Sequence, residues 1–378
     1  MTTPSLRALV LGAVLAATTA GTTAAAEISA KLNLWTPPKH QTVTHGAEPF
    51  MEAMEKESNG ELTFKLFSSG ALLGARASLQ GLKDGVAEVV QITFPYFPSE
   101  LPYQGLVADL AMIGSNPGAI GIGVSEFTML HCPPCLEEFK RFNAVYTGTT
   151  STSAYVILAK TPVRTLADLK GKKVRTPGAL WDRFLNSVGA TPVNMPANEM
   201  YEGISRGIID LALQPAGAMR SYGLADVAKG VTTLQLGTFR SFATFMANTR
   251  YWSKLSPEQR KLFLHNAMKY SINTSLEYEN VDAEVLEEGK KQGVEVIEPS
   301  QELLDAREAF LAQNREEVIA QAKSRLGIAE PEPLIEKLTE SILKWEDKAA
   351  ALDNDVEKLS EAADEEILSK IDVNTYGL

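Results

Sequence analysis

From Lys31 the chain alternates strand-like and helix-like segments, and around Thr149 the alternation starts again. Few architectures accommodate that pattern. Strand, helix and strand in repeated succession build mostly parallel sheets flanked by helices, so two runs predict two such sheets. In the first run KLNLWT reads as a strand and the stretch from about His45 to Glu57 as a helix. Residues 62–67 (LTFKLF) alternate apolar and polar side chains, as a half-buried strand does. The loop SSGALLG leads to a helix ending near Asp84-Gly85, EVVQI is the next strand, and TFPYFPSELPYQG is broken by its prolines into a loop. In the second run TSTSAYVILAK and Lys173-Val174-Arg175 are strands and residues 179–188 a helix. TPVNMP is extended, 199–206 helical and 207–212 a strand.

The texture changes at Ser256. SPEQR supplies an N-cap serine and a proline at the first helical position, and helical periodicity then continues through EEGKKQG. A helix of that length can touch two domains. Glu295-Val296-Ile297 is a short strand, and LIEKLTESILKWEDKAAALDNDVEKL carries an apolar stripe that should pack on the body, its charges forming a solvated face. The expected division is 27–152 with 241–276 as one domain, 153–240 with 277–330 as the other, and 331–378 as a helical extension.

Residues 1–26 stand apart from this fold. Arg7 is their only charge, an apolar run follows from Leu9 to Ala17, and Ala24-Ala25-Ala26 offers a small-residue cleavage site before Glu27. That is the layout of a secretory signal peptide, and its apolar core is shorter than the ~20 residues needed to span a bilayer. The segment has no cysteine for lipid attachment, so a soluble, exported protein without direct membrane insertion is expected. Of 36 basic residues, 35 remain after Arg7 is removed, against 47 acidic ones, a net charge of −12. That balance argues against nucleic acid or an anionic membrane as partner, although one local arginine can still hold an anion.

Arg175 is such a residue. It ends a short strand that runs through Thr176-Pro177-Gly178 into a helix from about Ala179, beside backbone N–H groups and a helix dipole that favour negative charge. No nucleophile or base accompanies it, which suggests holding an anion rather than transforming it. Gly203-Ile204-Ser205-Arg206-Gly207 fits a hydrolase pattern only in inverted context, because it ends a helix before a strand. The histidines, His40, His45, His131 and His265, show no metal-ligand spacing, and no phosphate or dinucleotide loop is present. Neither a metal nor a cofactor is expected, and no enzyme activity.

Cys132 and Cys135 lie in His131-Cys132-Pro133-Pro134-Cys135. In an oxidising compartment a structural bridge is the simpler reading. The alternative is a thiol–disulfide active site, since a helix start lowers thiol pKa. The motif follows the helical segment GAIGIGVSEFTML rather than a strand, so the expected redox context is missing.

ADLKGKKVRTPG, GATPVNMPANEMYEGISRGIIDLALQP and the SPEQR-initiated helix together resemble the substrate-binding proteins of TRAP transporters, the tripartite ATP-independent periplasmic family, in their dicarboxylate-binding-protein-like form. The resemblance implies two α/β domains joined by crossing strands, here near Thr152 and Arg240, and by a hinge-spanning helix. A ligand would be enclosed in the cleft of a periplasmic protein and delivered to membrane permease subunits. Arg175 matches the arginine that pairs with a ligand carboxylate, and Gln214 falls where the family commonly has an asparagine. Tyr155 stands where many acid-binding members carry a second basic residue. A dicarboxylate is thereby put in doubt, and a monocarboxylate with an apolar or aromatic body fits. Trp181, together with Phe94, Tyr96 and Phe97 of the TFPYF loop, could wall such a body, and His40 lies near the expected cleft. Beside this reading stand an exported thiol oxidoreductase and a module that presents a ligand to a receptor.

Overall fold

The computed structural model describes residues 27–378, so the expected signal peptide lies outside the described residues. The chain begins with strands β1 (Ile28–Asn33), β2 (Leu62–Phe67), β3 (Val89–Thr93) and β4 (Ala144–Val145). It then lays down β5 (Val156–Ala159), β6 (Lys173–Thr176), β7 (Thr191–Asn194), β8 (Leu211–Gln214) and β9 (Gly230–Thr232). Finally come β10 (Phe242–Asn248) and β11 (Glu295–Ile297). The first sheet has the order β2-β1-β3-β10-β4 and the second β11-β9-β5-β8-β6-β7. The fold is α/β with two sheets and helices around them.

The sheets are mixed rather than mostly parallel. β1 runs parallel to β2 and β3, and β6 parallel to β7 and β8, as β–α alternation dictates. β10 is antiparallel to β3 and β4, and β5 antiparallel to β8 and β9. The cause is the route of the chain. β5 and β10 are the first strands after a passage from one sheet to the other, so each enters from the end facing its neighbour sheet. A strand delivered by a crossover helix enters from the far end.

The two passages, 146–155 and 233–241, are tied to each other. Bridges join Thr150 to Phe242 and Ala154 to Thr238, and the Thr152 hydroxyl accepts from the Phe239 N–H at 3.0 Å. A third connection is helical.

Four helices matter before it, α1 (Pro102–Asp109), α2 (Pro117–Glu126), α3 (Pro133–Lys140) and α4 (Ala179–Ser187), and the connection itself is α5 (Pro257–Lys291). α5 starts with a capping box in which Ser256 Oγ accepts from the Gln259 N–H and Gln259 Oε1 from the Ser256 N–H. Its 35 residues span about 50 Å at ~1.5 Å per residue. Phe263, Leu264, Ala267 and Met268 pack in the core around the first sheet, while Tyr278 joins the cluster built on the second.

The remaining helices are α6 (Gln301–Ser324), α7 (Glu332–Ala351) and α8 (Val356–Glu366). α6 touches both α1 and α4, so it lies across the seam between domains. α7 packs on α2 and α8 on α5. The contact of α7 with α2 is close: a Cβ at Gly123 would stand 2.7 Å from Ile342 Cα. That approach explains a helix rich in Gly, Ala and Ile and buried along its whole length.

Candidate functional site

β6 buries Val174, Arg175 and Thr176 while Lys173 stays exposed. Arg175 retains 1% exposure, which for a permanent charge demands compensation. All its partners are neutral. Nε donates to Met195 O at 2.9 Å, Nη1 to Leu213 O at 3.1 Å and to Gln214 Oε1 at 2.9 Å, and Nη2 to the Tyr96 hydroxyl at 3.3 Å. Tyr96 comes from the turn after β3, so this last bond crosses from one domain to the other. The same hydroxyl accepts from the Ala197 N–H at 3.2 Å.

Between the domains these groups border a cavity of about 30 Å³. Arg175, Gln214, Tyr155 and His40 line it together, with Tyr96 from the TFPYF loop. Arg175 is its only charged side chain. His40 is buried, shares a hydrogen bond with the Thr42 hydroxyl through Nδ1 at 2.8 Å, and burial pulls its pKa down to about 3. Its imidazole is therefore neutral at physiological pH. Burial pushes the Tyr155 hydroxyl well above its ordinary pKa, the Arg175 charge opposing the shift.

Trp181 and Phe94 lie elsewhere. Trp181 stacks behind Tyr155 with ring centroids 5.0 Å apart and donates Nε1–H to Leu236 O at 2.8 Å. It shores up the wall without reaching the cavity. Phe94 packs on Phe139 in the first domain, centroids 5.0 Å apart. The α4 N-terminus also faces away from the cavity. The Arg175 side chain turns toward the end of β7, whereas Gly178 and Ala179 border a second pocket with Arg76, Asp182 and Arg325. Thr176 donates its hydroxyl to Asp182 in the first turn of α4. The guanidinium, and not the start of α4, is therefore the positive group that borders this cavity.

Sequence reasoning missed much of the wall. Trp35, Tyr222, Phe239, Phe242 and Tyr278 line the cavity, drawn from the segment after β1, the segment after β8, the second passage, β10 and α5. Trp35, Phe239 and Phe242 sit near strand ends, Tyr222 after a short helix and Tyr278 within α5, places where core packing puts aromatic residues equally often.

Cys132 and Cys135 are joined by a disulfide at the start of α3, with Cα atoms 5.3 Å apart. Both are buried in an apolar cluster with Val318 and Ile335, and neither lines the cavity. Among the described residues no group of acidic, histidine and cysteine side chains is arranged to hold a metal ion, and no helix is long and apolar enough to cross a membrane.

The chain is 24% identical to a solute-binding protein of Albidiferax ferrireducens, over 63% of its own length and 73% of the relative's. Its fold matches that of a marine-metagenome TRAP solute-binding protein described as specific for aromatic acid ligands, in complex with 3-hydroxybenzoate. The TM-score is 0.76 at 21% identity, covering 85% of this chain and 99% of that one. A TRAP periplasmic solute-binding protein of Bordetella bronchiseptica with bound mandelate superposes with a TM-score of 0.73 at 20% identity, over 84% and 99% of the two chains. The profile of bacterial extracellular solute-binding proteins, family 7, matches residues 35–321, from the aromatic segment after β1 to the end of α6, and the chain belongs to that family.

Proposed function

We propose that this protein is a periplasmic receptor that encloses a small organic carboxylate against Arg175 and delivers it to the membrane permease subunits of a TRAP transporter for import. The observation that carries the reading is a buried guanidinium, at 1% exposure, whose protein partners are all neutral. A carboxylate supplies the counter-charge and meets the planar fork with two parallel hydrogen bonds. Gln214 is suited to yield to it. Its Oε1 now accepts from Arg175 Nη1, and a rotated amide would turn its N–H donors toward the incoming oxygens. The solved relatives with bound 3-hydroxybenzoate and mandelate hold carboxylates, which supports the same class here.

No sulfur of the buried disulfide reaches the cavity, so insulin reduction above background is not expected. The test of the binding role is calorimetry on Arg175→Ala, after a thermal-shift screen of small organic acids has found a ligand for the wild type. Stranding one partner of a desolvated charge pair costs ~2–5 kcal/mol, roughly thirty-fold to several thousand-fold in affinity. Arg175→Lys should also weaken binding, because a point charge cannot reproduce the fork. A mutant Arg175→Ala that bound the same acid within a few-fold of wild type would remove the reading.

A further inference from the structure

We infer that the solute is an aromatic monocarboxylate carrying one neutral oxygen, a hydroxyl or an oxo group, away from its carboxylate. This rests on the reading of the cavity as a carboxylate site and narrows it.

Charge sets the first limit. Arg175 is the single cation in the lining and no acid lines it, while His40 is held neutral by burial. A second carboxylate would lie in the closed cleft without a counter-charge, and an ammonium group without an acid to meet it. One negative charge is what the lining accommodates.

The walls set the second. Trp35 and Tyr96 pack with ring centroids 6.0 Å apart, His40 and Tyr222 at 5.5 Å, and Tyr155 and Phe239 at 6.0 Å. These pairs line the same cavity as the guanidinium with flat, largely apolar faces. The cavity's volume of about 30 Å³ holds little more than a water, so a ring is admitted only as the two domains part, and these faces then give it offset or edge-to-face contacts. A polyhydroxylated body fits less well, because two of the lining hydroxyls are already engaged. Thr36 bonds with Thr42 and Gln91. Thr152 donates to Ser153 O and accepts from the Phe239 N–H.

The third limit comes from two polar atoms on lining residues that have no hydrogen-bond partner and are sealed from solvent, Trp35 Nε1 and the Tyr222 hydroxyl. Leaving a buried polar group without a partner is costly, and native structures leave few of them. An indole N–H only donates, whereas a tyrosine hydroxyl donates or accepts. A ligand hydroxyl can accept from the first and exchange a bond with the second. A ligand oxo group can accept from both.

The experiment is titration calorimetry of the full mature protein with benzoate, 3-hydroxybenzoate, mandelate, benzoylformate, succinate, D-glucuronate and uncharged 3-hydroxybenzyl alcohol. Oxygenated aromatic acids should bind tightest, with benzoate about 5- to 150-fold weaker and succinate and glucuronate weaker than benzoate. In Tyr222→Phe and Trp35→Phe, each checked for a wild-type melting profile, the ratio between the best oxygenated acid and benzoate should contract toward one. The wild-type panel decides even if a variant fails to fold. Tighter binding of succinate or glucuronate than of every aromatic acid overturns the inference and leaves the carboxylate reading standing. Equal binding of the neutral alcohol, or no binding by any acid, overturns both. An undiminished ratio in both variants overturns the assignment of the oxygen to these two side chains.

Discussion

Asp282 on α5 accepts the Ser153 hydroxyl from the first passage and the Gly217 N–H from beyond β8, both at 2.6 Å. One carboxylate thereby fastens the long helix to two segments beside the cleft. Burial pushes its pKa from 3.8 up to about 6; the hydrogen bonds from Ser153, Gly217 and Ala216 pull the other way, and Glu279 adds to the rise. Folding therefore favours the protonated form. The stabilisation is fully present below the unfolded value near 3.8 and is lost as pH rises through about 6. The difference is about 3 kcal/mol at ~1.4 kcal/mol per unit. Urea unfolding should show this loss between those two pH values, and Asp282→Asn should flatten that part of the profile; an unchanged profile in the variant would refute the assignment. At the residue scale the sequence is legible unevenly. Arg175 stands at a strand-to-helix turn and Gln214 at a strand end before proline, local patterns that a linear reading detects. Trp35, Tyr222 and Tyr278 come from distant segments, and only tertiary folding sets them around one space. Trp181 is six positions from Arg175 in sequence, yet its helix carries it to the far side of Tyr155. Unpaired polar atoms leave no trace in a sequence at all.

Among the elements, α3 tests whether the cysteines serve structure or chemistry. Its disulfide closes a short loop, so an unfolded-state contribution of about 2 kcal/mol is expected. The double variant Cys132→Ala/Cys135→Ala should melt earlier, and the wild type should shift toward it in reductant. Affinity for the carboxylate found in the screen should stay unchanged, since both sulfurs are packed against Val318 and Ile335 rather than toward the cavity. Loss of binding in the variant would tie the pair to function after all. Helices with strong punctuation were legible: α5 begins at the serine–proline signal and β11 follows as read. β10 was not. All seven of its residues are buried, so its apolar run has no alternation to mark a strand. The direction of β5 and β10 was likewise beyond local pattern, because it depends on where the chain has just come from.

At the scale of the whole molecule, the two domains are held by more than the cavity. Arg183 on α4 pairs with Asp109 on α1 at 3.3 Å, and also donates to Asn314 of α6 at 3.0 Å. Burial raises the Asp109 pKa while the Arg183 charge opposes that rise, so the pair depends on its partners staying together. Removing one member of such a pair typically costs ~3–5 kcal/mol, and separation of the domains relieves the charge left behind. Arg183→Ala should therefore give a larger radius of gyration in small-angle scattering and weaker ligand binding, although Arg183 does not line the cavity. Scattering and affinity identical to wild type would show that the pair does not bear on closure. The strand order has a consequence of another kind, for the birth of the molecule. β3 and β4 are neighbours of β10 and not of each other, so the first sheet stays split until residue 248 has been made. By then the strands from β5 to β9 have already emerged. A chain appearing N-terminus first must carry β3 with an unpaired edge through the synthesis of most of its second domain. Such an edge invites pairing with other chains, an exposure that ends only when β10 inserts between β3 and β4.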